Sequence, residues 1–164
     1  YYKNKQELFI AVVDKFWFST QNPRNKFTET NGTFAEFIDE YVRGVQRTMD
    51  MLGDLIGAER EKVAQGKFTY HAQYFHFLFQ LLQYDPDAKE KLRNLVDGDY
   101  AYWRAAIQRA IATGELREDV DVEDAVVMFR QVYMGLSFEM AFMGGLNTQR
   151  LAKHLHAVYS LLKR

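Results

Sequence analysis

The four histidines are the side chains of this sequence best suited to metal or acid–base chemistry. His71 and His76 are five positions apart, a spacing that places them on different sides of a helix. His154 and His156 are two positions apart and would point in nearly opposite directions. The chain contains no cysteine, which excludes a thiolate site as well. We therefore predict no metal ion and no cofactor.

Patterns that signal catalysis are also missing from the sequence. It contains no Glu-x-x-His pair, no Gly-rich phosphate loop and no nucleophile elbow, so we predict no catalytic residues and no enzymatic activity. A helical-bundle enzyme or carrier for a hydrophobic small molecule is the alternative, and a catalytic site in the enzyme requires that His76 and Glu139 meet in a cavity. A helical scaffold protein without an enclosed cavity is a further alternative.

The segment between Lys67 and Asp85 is unusual, because its 17 residues carry no formal charge and seven of them are Phe or Tyr. A helix of this composition would expose a large apolar patch on a surface, so we predict that other helices surround it. Buried amides and imidazoles need hydrogen-bond partners, which a ligand can supply. They can equally face solvent or bond to one another between helices. The polar residues that share one face are Gln73, His76, Gln80 and Gln83.

Hydrophobic spacing and capping residues predict an all-α fold, a bundle of six to seven helices with no convincing strand. Asn4 and Thr33 each precede a Glu by three residues, the pattern of a capping box. Asp85 followed by Pro86 is typical of a helix start. The predicted helices cover about 5–18, 33–52, 68–84, 85–113, 122–143 and 148–162, with a loop at 19–32 and a short helical piece or turn at 58–67.

Charge and hydropathy limit the kinds of partner. With 21 basic and 22 acidic residues the net charge is -1, so this chain lacks the basic surface expected of a nucleic-acid-binding domain. No stretch of about 18 apolar residues is present, and no signal-peptide pattern occurs. We expect a cytoplasmic protein that does not enter a membrane, whose DNA affinity would come from another part.

Two runs of residues resemble those of a known family. The first is YYKNKQELF at 1–9, similar to the Tyr-x-Phe-Lys-Asn-Lys-x-x-Leu-Phe stretch that closes the helix-turn-helix DNA-binding head of TetR-type transcriptional regulators. Tyr2 replaces the usual Phe, a mild departure. The second is Gly114-Glu115-Leu116-Arg117, similar to the turn before the first of two dimerising helices in that family.

The resemblance implies a division of the chain and two kinds of macromolecular partner. Residues 1–4 would end a DNA-binding head that is otherwise missing, and residues 5–164 would form the effector-binding and dimerisation domain. Tyr1 and Lys5 would contact phosphates of operator DNA. A homodimer would pair the helices at about 122–143 and 148–162, although a monomer could bury the same apolar stripe. The interface stripe is Leu151, Leu155, Val158 and Leu162.

The resemblance also implies a ligand-responsive regulator, usually a repressor, with a cavity among its central helices. Its effector would be a small hydrophobic or aromatic molecule, and its binding would favour a body conformation in which the two heads are wrongly spaced for DNA. The helix at 5–18 would transmit the change. The predicted ligand-binding residues are Tyr74, Phe77, Gln80, Tyr84, Phe129 and Tyr133, with His76 and Gln73 as polar anchors.

Overall fold

The computed structural model describes residues 2–28, 31–55 and 70–164, without the side chains of 52–55 and 70–73. Within these ranges the chain is helical and forms no strand, so the all-α prediction is confirmed. The short element predicted at 58–67 lies outside the described residues, as does Tyr1. The helices are α1 Lys5–Val12, α2 Ser19–Gln21, α3 Pro23–Lys26, α4 Phe34–Leu55, α5 Tyr70–Tyr84, α6 Ala88–Ala112, α7 Val122–Ala141 and α8 Thr148–Leu162.

The first helix begins as predicted but continues further. The side chain of Asn4 accepts a hydrogen bond from the Glu7 N–H at 2.8 Å, which satisfies an otherwise unpaired donor of the first turn. After α1 the chain continues as a π-helix over Val13–Phe18 and then as α2. The loop predicted at 19–32 is therefore partly wrong. Asn22 caps α3 by accepting from the Arg24 N–H at 3.0 Å, a local signal that periodicity over a long window does not detect.

The main core lies between α4, α6, α7 and α8. The Trp103 and Phe129 rings stack at a centroid distance of 4.8 Å, and both side chains are fully buried. Leu151 and Leu155 of α8 close this core and are also fully buried. Each such apolar side chain contributes about 1.5–3 kcal/mol on burial, so these four are a large part of the folding free energy.

A second apolar cluster joins the first helices to α5. Trp17 of the π-helix lies 5.9 Å from Tyr74 and 5.6 Å from Phe77, measured between ring centroids. Phe9 of α1 lies 5.9 Å from the same Phe77 ring. A shift of α5 would therefore act directly on the segment that contains α1.

The prediction that other helices surround the aromatic helix is wrong for much of its surface. One face of α5 is packed, and Leu81 on that face is fully buried. The Phe79, Leu82 and Tyr84 side chains on α5 are 66%, 48% and 46% exposed. The absence of charge in α5 indicated that every face of the helix would be buried. Within the described chain, only part of its aromatic surface packs against other helices.

Helix α6 begins two residues later than the Asp85-Pro86 pair suggested, since its N-cap position is Asp87. The side chain of Asp87 makes no capping hydrogen bond. The Asp85 carboxylate is buried, accepts from the Asp87 N–H at 3.0 Å and pairs with Lys91 at 2.9 Å. Because its carboxylate accepts from the Asp87 N–H, Asp85 caps the turn that leads into α6, and through Lys91 it also anchors the α5–α6 corner.

The turn after α6 fixes the ends of two other helices. Gly114 has a φ of +77°, a conformation that favours glycine at the end of a helix. The next residue, Glu115, accepts the Phe34 N–H at the start of α4 at 2.8 Å and the Tyr159 hydroxyl of α8 at 2.7 Å. The Gly-Glu-Leu-Arg run is thus a structural joint between α4, α6 and α8.

Candidate functional site

A buried ion pair joins α6 to α7 in the interior. The Arg130 Nη1 atom lies 2.6 Å from the Asp99 Oδ2 atom, and the Arg130 residue is only 7% exposed. The Tyr41 hydroxyl of α4 donates to Asp99 at 3.4 Å and accepts from Arg130 at 3.5 Å. The guanidinium also lies over the Tyr100 and Tyr133 rings, at 5.7 and 5.9 Å from their centroids. Three helices therefore meet at one charged cluster.

The environment of this cluster shifts the titration of its members. Burial raises the pKa of Tyr41 well above its ordinary value, and the negative charge of Asp99 adds to that effect. Burial also raises the pKa of the Asp99 carboxyl, against the opposing influence of the Arg130 and Lys26 cations. Such shifts are expected where charges are held in a medium of low polarity, and they occur both in structural clusters and in ligand sites.

Not every buried polar atom of this region has a hydrogen-bond partner. In the described part of the chain, Arg130 Nε and Ser137 Oγ are buried without one. Leaving a buried donor unpaired costs about 1–3 kcal/mol, and native structures contain few such atoms. Both residues lie on α7, and Ser137 is only 4% exposed. A buried donor of this kind needs a partner, which a bound water or the polar group of a ligand can supply.

Ser137 faces a small cavity between the α2–α3 segment, α4, α5 and α7. The cavity has a volume of about 20 Å³, room for roughly one water molecule. An organic ligand would have to enlarge it. The two methionines in its wall are flexible enough to rearrange around a guest. The lining residues are Gln21, Lys26, Thr48, Met49, Tyr74, Phe75, Tyr133, Met134 and Ser137.

A wider cleft lies on the opposite side of the α2–α3 segment, against α6. Its volume is about 1160 Å³, and it is open to solvent. Phe18 and Leu95 supply apolar surface, and Arg24 and Asn94 supply polar surface. Lys91 crosses one end, where its ammonium pairs with Asp14 at 2.7 Å. The cleft thus lies between the first helices and α6, whereas Trp17 packs these helices against α5.

The structure brings together only two of the predicted ligand-binding residues. Tyr74 and Tyr133 line the small cavity from α5 and α7. Phe77 packs against Trp17, and Phe129 stacks on Trp103 within the main core, so neither lines that cavity. The other predicted residues are placed as follows: His76 and Tyr84 are exposed, Gln80 is half-buried, and the Gln73 side chain lies outside the described residues.

The predicted dimer stripe is wrong for its first two residues. Leu151 and Leu155 are 0% exposed within one chain, so they cannot contact a second copy. Val158 and Leu162 also pack against the main core. The physical reason is that a core stripe and an interface stripe have the same helical period. The exposed apolar side chains of this region are Val127, Met128, Phe138, Phe142, Met143 and Leu161.

Sequence reasoning missed the polar members of the site. Arg130 is the only charged residue between Asp124 and Glu139, and a lone cation in an apolar helix is a signal for a buried ion pair. Asp99 and Ser137 carry no comparable signal, because their burial depends on how α6 and α7 pack.

Of the residues predicted to contact DNA, Lys5 is exposed at the start of α1.

The fold and the interior site define an all-α domain with a polar cluster enclosed by helices. A family model described as "Tetracyclin repressor-like, C-terminal domain" matches residues 45–155, which is more than half of the chain. The chain belongs to this family of transcriptional regulators. No curated protein and no solved structure matches it. In the described ranges, no helix has both the length and the apolar character needed to cross a membrane.

Proposed function

We propose that this chain is the effector-sensing and dimerising domain of a cytoplasmic, ligand-responsive transcriptional repressor. Residues 5–164 form the sensing domain, and residues 1–4 end a helix-turn-helix head that binds operator DNA. The observation that carries the proposal is the buried, unpaired hydroxyl of Ser137 at a cavity enclosed by several helices. A small effector with an apolar or aromatic body enlarges this cavity and satisfies the hydroxyl.

The contacts of Tyr74 supply a route from the cavity to the DNA-binding end. Tyr74 lines the cavity and also packs against Trp17 at 5.9 Å between ring centroids. Trp17 belongs to the π-helix that follows α1 directly. An effector that moves α5 therefore biases the position of α1, and with it the spacing of two heads in a dimer.

The exposed side chains at the end of α7 favour a dimer with a different interface from the stripe on α8. Phe142 and Met143 are 71% and 73% exposed, and the Phe138 ring, 51% exposed, lies 5.1 Å from that of Phe142 between centroids. Large apolar side chains grouped on the surface of a soluble domain mark contact sites. We propose that these side chains pair with their copies across a two-fold axis.

The enzymatic alternative has less support. It requires His76 and Glu139 to meet in a cavity, and both residues are exposed. Neither lines the small cavity beside Ser137. No observation on the described residues favours a reaction over binding.

Filling the cavity tests the sensing function. A series of small aromatic compounds is screened for those that raise the Tm of the chain, and Ser137→Leu is measured beside it. We expect the variant to lose the response, because its larger side chain occupies the cavity. Glu139→Leu, an exposed position on the same helix, is the matched control and should respond normally. Equal responses in the two leucine variants would contradict the proposal.

A further inference from the structure

The chemistry of the effector follows from the position of Lys26, which lines the cavity at the end of α3. Lys26 is half-buried, and its Nζ atom lies 3.3 Å from the Gln21 Oε1 atom. The same ammonium lies 5.4 Å from the Phe27 ring centroid and 5.5 Å from that of Tyr133. None of the ion pairs within the described ranges includes Lys26.

The nearest carboxylate of the interior is not available to Lys26. Asp99 senses the charge of Lys26, but its carboxylate is bound to Arg130 at 2.6 Å and accepts from the Tyr41 hydroxyl. The Asp99 carboxylate thus faces two cations, Arg130 and Lys26. A charge held away from bulk water keeps more of its electrostatic effect than an exposed one, so the excess positive charge at this cavity attracts an anion.

Glu40 on α4 is likewise occupied. Its two carboxylate oxygens accept from Arg43 at 2.8 Å and from Arg47 at 2.6 Å. Arg47 also donates to the Lys26 carbonyl oxygen at 3.1 Å, which places another cation close to the Lys26 backbone. The carboxylates around α3 are therefore matched by arginines, and Lys26 is left without an anionic partner among the described residues.

Ser137 provides a second, independent indication. Its hydroxyl is buried, lines the same cavity as Lys26 and has no hydrogen-bond partner. An ammonium has only donors, and a hydroxyl can donate one hydrogen bond. Among the groups that can accept from both, a carboxylate or a similar oxyanion binds most strongly, because its hydrogen bonds are charge-assisted.

We propose that the effector is a small aryl carboxylate or a comparable oxyanion, whose charged group binds Lys26 and Ser137 and whose apolar body displaces Met49 and Met134. This inference rests on the proposed sensing function and adds the class of ligand. The aromatic walls formed by Tyr74 and Tyr133 receive the ring. Because the cavity holds only about 20 Å³, the ligand must be small and must enlarge the site on entry.

The test compares phenylacetate with its neutral isostere phenylacetamide by titration calorimetry on the full chain. We expect phenylacetate to bind at least about tenfold more tightly, a difference of about 1.4 kcal/mol. Lys26→Met should abolish this preference and leave the affinity for the amide unchanged, whereas Lys26→Arg should retain it. Lys15→Met, which removes an exposed lysine above a different ring, is the control and should behave as the wild type.

The outcomes separate the two proposals. Equal affinities for the acid and the amide, both lost in Ser137→Leu, would overturn the anion preference and leave the sensing site intact. A preference for phenylacetate that survives in Lys26→Met would also overturn the inference. Binding of either compound that Ser137→Leu does not affect would overturn both proposals. Circular dichroism melting curves establish that each variant is folded before it is titrated.

Discussion

The ammonium of Lys91 lies 2.7 Å from the Asp14 carboxylate, although 77 residues separate the two in the chain. The same ammonium pairs with the buried Asp85 carboxylate at 2.9 Å. One side chain of α6 therefore joins the π-helix to the α5–α6 corner. These contacts hold the first helices against the bundle at one end of the wide cleft.

Replacing Lys91 with Met should destabilise the fold by about 1–3 kcal/mol, because Asp85 would keep a buried charge without its cation. The Asp85 side chain is only 2% exposed, whereas that of Asp14 is 45% exposed. Asp14→Asn should therefore cost only about 0–1 kcal/mol. Urea unfolding of both variants measures the two values. Equal losses would show that the buried carboxylate does not dominate the interaction.

The stability of the domain should fall in acid through Glu40. Burial raises the pKa of Glu40, but hydrogen bonds from Arg47 and Arg43 and from the Thr28 N–H outweigh it and lower the pKa from 4.5 to about 2. The native state thus binds this proton less readily than the unfolded state does. The stabilisation is present above a pH of 4.5 and is lost as the pH falls towards 2.

The Glu40→Gln variant should unfold more easily at neutral pH by about 1.5–3 kcal/mol and should lose part of the acid dependence. Urea titrations at several pH values between neutral and the lower limit of folding measure both effects. Asp50→Asn, which removes an exposed carboxylate from the same helix, is the control. If the variant and the wild type show the same slope below pH 4.5, Glu40 does not carry the effect.

Glu115 should stabilise the packing of α4 against α8, because its carboxylate accepts hydrogen bonds from both helices. Glu115→Ala removes the acceptor of both the Phe34 N–H and the Tyr159 hydroxyl and should cost about 1–3 kcal/mol. Tyr159→Phe removes only one of these bonds and should cost about 0.5–1.5 kcal/mol. Glu118→Ala, at an exposed position in the same turn, should change stability by less than about 0.5 kcal/mol. A loss in Glu118→Ala as large as that in Glu115→Ala would contradict the prediction.

The proposed dimer contact can be tested with two exposed phenylalanines. Phe142→Glu should convert the dimer to a monomer, because it places a charge in the apolar contact near the end of α7. Phe79→Glu is the matched control, since Phe79 on α5 is 66% exposed and Phe142 is 71% exposed. Light scattering after size-exclusion chromatography gives the mass of each variant. A dimer that tolerates Phe142→Glu but not Phe79→Glu would place the interface on α5.

Local signals in the sequence were sufficient to predict most of the fold. The predicted capping residues Asn4 and Thr33 are confirmed, since each side chain accepts an N–H three residues later, and Asp121 and Asn147 cap α7 and α8 in the same way. Such bonds depend on residues that are adjacent in the chain. Helix α6 starts later than predicted because Pro86 and Asp87 form a turn, capped by Asp85, before the helix begins.

The candidate site was less predictable because its members come from separate helices. Arg130 and Asp99 are 31 residues apart, and nothing in the sequence pairs them. The role of the stripe with Leu151 and Leu155 was also hard to predict. Its helical period identifies a buried face but does not distinguish the core of one chain from an interface between two. The packing of the helices determines both the pairing of Arg130 with Asp99 and the burial of this stripe.

In the proposed mechanism, a ligand in the cavity beside Ser137 acts on the π-helix through Tyr74 and Trp17. The chain has two tryptophans, so fluorine NMR of the fluorotryptophan-labelled chain follows each ring, with Trp17→Phe for assignment. When phenylacetate is added, we expect the Trp17 resonance to shift with saturation and the shift to vanish in Ser137→Leu. A bound ligand that raises the Tm while the Trp17 resonance stays unchanged would contradict the claim.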